Sequence, residues 1–170
     1  MTEVFKHYSK CNQHINADMI KAIESAKENV YDRNVDGYFK SIGELLDHIY
    51  KADLVWLSSF KFIKEYSIFK DPVFNETPKS SERIFTDLGS FKTARIHLDT
   101  VFAQLANEIE ESDLQKYVVR VTRLGERQEK LFWKALMHVF NHQTHHRGQV
   151  SQILDELKIE NDYSNMIRID

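Results

Sequence analysis

The feature that most constrains this chain is apolar periodicity. Four long segments carry apolar residues at i, i+3/i+4 spacing, and little else in the sequence punctuates them. The first runs from Val4 to Lys27, with Phe5, Tyr8, Ile15, Met19, Ala22 and Ala26 in register. The second runs from Tyr38 to Glu65, with Ile42, Leu45, Ile49, Ala52, Trp56, Phe60 and Ile63 in series. The third, Asp87 to Glu111, aligns Leu88, Phe91, Ala94, Leu98, Val101, Leu105 and Ile109. The fourth runs from Lys130 to Leu157. No such helix can bury its stripe alone, so the four are expected to pack as an all-α four-helix bundle forming one domain over residues 1–170. Five glycines and two prolines are too few for a turn-rich all-β fold.

The connections are readable too. NVYDRNVD, from Asn29 to Asp36, is polar and breaks the period. Both prolines, Pro72 and Pro78, lie in SIFKDPVFNETPKSS, which reads as the longest loop and can carry the chain across the bundle. KYVVRVTRLGERQEKLFW is β-branched before Gly125 and predicts a short hairpin before the last helix. The segment after Leu157 reads as coil. Gly43 and Gly148 stand inside helical patterns, where each costs ~1 kcal/mol relative to alanine and so points to a close backbone approach. At Gly148 a second copy of the chain is one such neighbour.

Charge and cysteine content narrow the function. With 23 basic and 26 acidic residues the net charge is −3, and no basic excess marks a nucleic-acid surface. A single cysteine, Cys11, excludes an internal disulfide framework and a cysteine-rich zinc ribbon, and reads as a small buried hydrophobe. No stretch reaches the ~18–20 apolar residues that cross a bilayer. MTEVFKHYSK lacks the apolar core of a secretory signal, so a cytoplasmic protein without membrane or nucleic-acid partners is expected.

The chemistry lies in the histidines. Four of the eight cluster in HVFNHQTHH: His138, His142, His145 and His146. On a wheel with Ala135 at the origin, 100° per residue puts His142 at about −20° and His146 at about 20°, in the middle of the apolar face. His138 and His145 fall on its flank. Two inward imidazoles one turn apart can reach one divalent ion; otherwise they are core histidines bonded to polar neighbours. A third ligand must come from another helix. His48 sits at the edge of the second helix's apolar face, and His7, His14 and His97 are its rivals. Asp53 offers an oxygen as a ligand or as an acceptor that orients a histidine. Periodicity does not rank them. On the same wheel Gln149 lies within reach of the cavity, whereas Arg147, at about 120°, projects toward solvent. Tyr8 and Asn12 are candidates to add polar groups to the cavity.

NHQTHHRGQVSQIL, from Asn141 to Leu154, resembles the C-terminal signature of the DinB/YfiT-like superfamily, and ELLDHIYKADLVWL, from Glu44 to Leu57, resembles its upstream histidine segment. The resemblance implies a bundle holding one divalent metal through His48, His142 and His146, with His145 at the cavity mouth rather than on the metal. Zinc or nickel is the expected ion, with iron or manganese as alternatives. Three protein ligands leave a position for water or substrate, as catalytic sites do. Similar proteins include transferases and isomerases that use low-molecular-weight thiols such as bacillithiol or mycothiol. By likeness, a metal-dependent hydrolase or thiol transferase acting on a small electrophile is expected, as a homodimer. The rival is a non-catalytic metal- or ligand-binding stress-response protein, which would bind metal and turn nothing over.

Overall fold

In the computed structural model, which describes residues 1–75, 82–121 and 125–169, the apolar stripes become four helices. They are α1 (Thr2–Glu24), α2 (Ile42–Ser59), α3 (Leu88–Glu108) and α4 (Phe132–Glu156). α1 packs chiefly on α3 and α2 chiefly on α4, while α1–α4 and α2–α3 contacts close the bundle. The expected residues fill its interior. Leu45, Phe60, Phe91, Leu98 and Phe132 are buried, and the Phe60 and Phe132 rings meet edge to face at 4.8 Å. Each such side chain contributes roughly 1.5–3 kcal/mol of transfer free energy.

Helix ends differ from the periodic reading because caps, not apolar spacing, set them. α2 starts at Ile42 rather than Tyr38, since Ser41 is extended and its hydroxyl accepts the Glu44 amide N–H at 3.2 Å. The Glu44 carboxylate in turn accepts the Lys40 amide at 2.8 Å. Asp87 caps α3 in the same way through the Ser90 amide, at 2.8 Å. At its far end α2 stops at Ser59 and tightens into a single 3₁₀ turn, Phe60–Phe62, instead of running to Glu65.

The hairpin forms. β1 (Tyr117–Val121) pairs antiparallel with β2 (Arg127–Leu131), with Val119 opposite Glu129. Gly125 takes φ 80°, a left-handed conformation that glycine enters without strain. Residues 122–124 of the turn lie outside the described residues. Because the ladder claims residues up to Leu131, α4 opens at Phe132 and not at Lys130. The long loop is ordered into 3₁₀ turns at Ser67–Lys70 and Pro72–Phe74, the second capped by Asp71 accepting the Val73 amide. Residues 76–81 of that loop, Pro78 among them, lie outside the described residues.

Two internal glycines separate cleanly. A Cβ on Gly43 would lie 2.8 Å from a ring carbon of the buried Tyr31, so the linker after α1 packs flat against α2. Gly148 faces open space within the chain, and no close approach explains it. The segment after α4 is coil, as expected, apart from one 3₁₀ turn at Met166–Arg168, and it folds back on the bundle: Tyr163 is buried and donates to the Arg147 carbonyl at 3.2 Å.

A polar layer crosses the core and joins all four helices. Arg95 of α3 pairs with Asp53 of α2 at 2.6 Å and with Asp99 one turn along at 2.8 Å. Asn16 of α1 donates to both Asp99 oxygens at 3.0 and 3.1 Å. Arg147 of α4 is 5% exposed, which corrects the expectation that it faces water. Its N–H groups donate to Asn12, to Asn16 at 3.0 Å and to Gln143 at 3.2 Å. The wheel measures angle from one apolar stripe, but α4 has two neighbours. The side that turns away from α2 meets the asparagines of α1.

Candidate metal centre

The α2–α4 contact decides which histidines meet. His48 on α2 faces His142 on α4 with their Nε2 atoms 3.2 Å apart, and His146 places its Nε2 3.1 Å from that of His142. One ligand atom from each residue lies within 4.8 Å of the other two. Helical geometry explains the α4 pair, since residues four apart stack on one face. Helix packing explains the third.

Electrostatics keep the two α4 rings neutral. Burial, reinforced by the charges His146 and His48 would carry, lowers His142 to about 3. Burial also lowers His146, against the opposing effect of its bond to Gln149. That bond joins His146 Nδ1 to the Gln149 Oε1 at 2.6 Å, so the proton sits on Nδ1 and the Nε2 lone pair points at the cluster. Gln149 thus occupies the place that the wheel assigned to it. His142 Nδ1 is buried with no hydrogen-bond partner among the described residues, so packing orients that ring.

The donor set fits a divalent ion. Ligand nitrogens 2.0–2.1 Å from a tetrahedral ion are about 3.3 Å apart, close to the two short separations here. Three lone pairs crowded together repel, and two neighbouring nitrogens can share only one proton between them. A cation at their centre relieves both difficulties, and imidazole suits zinc, nickel, iron or copper.

The remaining histidines lie apart from the triad or at its edge. His7 contacts Cys11 Sγ at 3.3 Å, His14 bonds the Lys10 carbonyl at 2.9 Å, and His97 meets Asp71 at 3.0 Å. His145 is exposed with its ring 4.9 Å from that of His146. His138 is also exposed, between Trp56 at 4.8 Å and His142 at 6.0 Å. Asp53 is not beside the triad as an orienting acceptor; Arg95 holds it in the polar layer. Asn12 and Cys11 line a small cleft with Tyr8, Phe140 and Arg147, which the three clustered histidines do not line.

Two features of the site escaped sequence reasoning. Phe39 lies before α2 and packs its ring 4.9 Å from His48 and 5.6 Å from His146, walling one side. Arg120 of β1 lies over Trp56 of α2, 4.4 Å from the ring centroid. Phe39 sits at the edge of a periodic run and Arg120 in a strand, so neither position carried a helical signal.

A family model described as the DinB family matches residues 1–160. The fold is also similar to a crystal structure of a DinB-like protein from Bacillus cereus. That match has a TM-score of 0.62 and 20% identity, over 88% of this chain and 89% of that one. At that identity the likeness speaks for the four-helix fold. No curated protein sequence matches the chain.

Proposed function

The chain belongs to the DinB family, and from that premise we propose that it is a metal-dependent hydrolase or low-molecular-weight-thiol transferase acting on a small electrophile. His48, His142 and His146 would hold one divalent ion, zinc or nickel before iron or manganese. The observation that carries this reading is the convergence of three Nε2 atoms from two helices, two of the separations being 3.1 and 3.2 Å. A structural site would be closed by a fourth protein ligand, whereas three histidines leave a position for water or substrate. Among the described residues no carboxylate or cysteine joins the group.

An ion held by His48, His142 and His146 would supply Lewis acidity, favouring the deprotonated, nucleophilic form of a water or thiol near neutral pH. The residues around it supply the rest. Gln149 holds the His146 proton on Nδ1 and leaves Nε2 free to coordinate. Phe39 excludes water from one flank and packs against His48 and His146. His48 and His142 are only half-buried, so a small molecule reaches the triad from solvent.

The test is elemental analysis of untagged protein purified without a nickel column, alongside His48→Ala, His142→Ala and His97→Ala variants. The expected result is near one metal per chain in the wild type and in His97→Ala, and none in the other two. Turnover of a thiol with a model electrophile, or hydrolysis of an activated ester, should vanish with the metal. Protein that takes up none of added zinc, nickel, manganese or iron refutes the metal reading. Metal without turnover across a broad panel leaves a binding protein instead of an enzyme.

A further inference from the structure

The acidic side chains of α2 have partners other than Arg120: Glu44 accepts the Lys40 amide, Asp47 accepts the Ile84 and Phe85 amides, and Asp53 pairs with Arg95. At the end of α4, Asp155 accepts from Asn161 and Glu156 from Gln152. On the hairpin, Glu129 of β2 pairs with Arg127. Arg120 is half-buried and stacks on Trp56, and among the described residues it makes no ion pair and no side-chain hydrogen bond. Beside it, Trp56 touches His138, whose ring is 6.0 Å from that of the metal-facing His142.

A planar guanidinium fixed by an aromatic face, with its N–H fork unspent, is suited to a carboxylate or phosphate. We propose that Arg120 is an anion-recognition residue, and that the small molecule brought to the histidine triad carries a carboxylate or phosphate at the end remote from its reacting atom. This rests on the metal reading above. Trp56 serves as the platform: it holds the guanidinium against α2 and offers its edge to the carbon chain between the two ends of the ligand. The competing view makes the stack a strap that fastens the hairpin to α2. A strap would affect stability without altering the charge preference of the site.

Cobalt(II)-loaded protein separates these views, because a thiol bound to cobalt adds a charge-transfer band that can be titrated. The probes are mercaptohexanoate against mercaptohexanol, and mercaptopropionate against mercaptopropanol. Each pair has the same reach but a different terminal charge. The acid of at least one pair should bind about three- to tenfold more tightly than its alcohol at low salt, as a partly exposed charge-assisted contact allows. Arg120→Gln should bring that ratio to one, Arg120→Lys should retain part of it, and the cobalt d–d spectrum should stay the same in all three proteins. Equal affinity of acid and alcohol at both lengths in the wild type overturns the assignment. So does a preference that survives Arg120→Gln, or a variant that only lowers the melting temperature. Cobalt stoichiometry on the same samples separates the two readings: no uptake refutes the metal site itself, whereas uptake without charge preference refutes only the role of Arg120.

Discussion

Replacing Arg95 with methionine should expose how the core tolerates three charged groups. One guanidinium serves two carboxylates, Asp53 at 2.6 Å and Asp99 at 2.8 Å, and all three side chains are at most 3% exposed. Burial pushes Asp53 up to about 6 and Asp99 upward, with Arg95 opposing both. Arg95 itself is held charged because its two carboxylates outweigh burial. Arg95→Met keeps most of the volume but leaves two buried carboxylates without their cation, a loss of about 3–5 kcal/mol. In a domain of this size that is a fall in Tm of roughly 10 °C. The pH dependence identifies the mechanism. In the variant both carboxyls titrate still higher in the folded state, so the folded protein binds more protons than the unfolded chain. Its stability should therefore rise as pH falls from about 7 toward the ordinary aspartate value, and the deficit against wild type should narrow. Urea melts followed by circular dichroism at pH 8 and pH 5 measure this, and Asp53→Asn with Asp99→Asn in the Arg95→Met background should recover much of the loss. A deficit below about 1 kcal/mol at pH 8, or one that does not change with pH, would refute the reasoning.

Other perturbations test other parts of the molecule. Gly148→Ala should raise stability by about 1 kcal/mol, because a Cβ there meets nothing within the chain; a loss of stability in thermal melts would mean that something else occupies that surface. Gln149→Leu should weaken zinc binding by about tenfold or more while leaving the melt of the metal-free protein in place, since it removes the bond that fixes the His146 tautomer. A competition titration with a chelating dye reads the change, and an unaltered affinity would count against that role. Asp113 is buried, yet it lies below the ordinary aspartate value: burial works against this, and the Lys116 ammonium at 2.7 Å and the Glu110 amide at 3.1 Å outweigh it. Its contribution is complete above the unfolded value and is lost as pH falls through the lower folded one. Asp113→Asn should therefore cost about 1 kcal/mol at pH 7 and nothing near pH 2, measured by denaturant melts.

Much of the architecture was already in the residue order, because helices are made by local interactions. Backbone hydrogen bonds close within four residues, so apolar spacing alone marks the four helices and stacks His142 above His146 on one face. The short hairpin was legible for the same reason, in its β-branched run and its turn glycine. Three results were not local. Periodicity left His48 level with His7, His14 and His97, and only the likeness of its segment to a known family favoured it; in the structure α2 lies against α4 and brings its Nε2 within 3.2 Å of His142. Arg147 sat on a polar-looking face until α1 supplied Asn12 and Asn16 to meet it. Arg120 gained its place over Trp56 because a strand more than sixty residues later in the chain packs on α2. A helix's own turns decide which residues share a face, but which faces meet depends on how four amphipathic stripes and one buried charge layer pack at once, and that is a property of the whole fold.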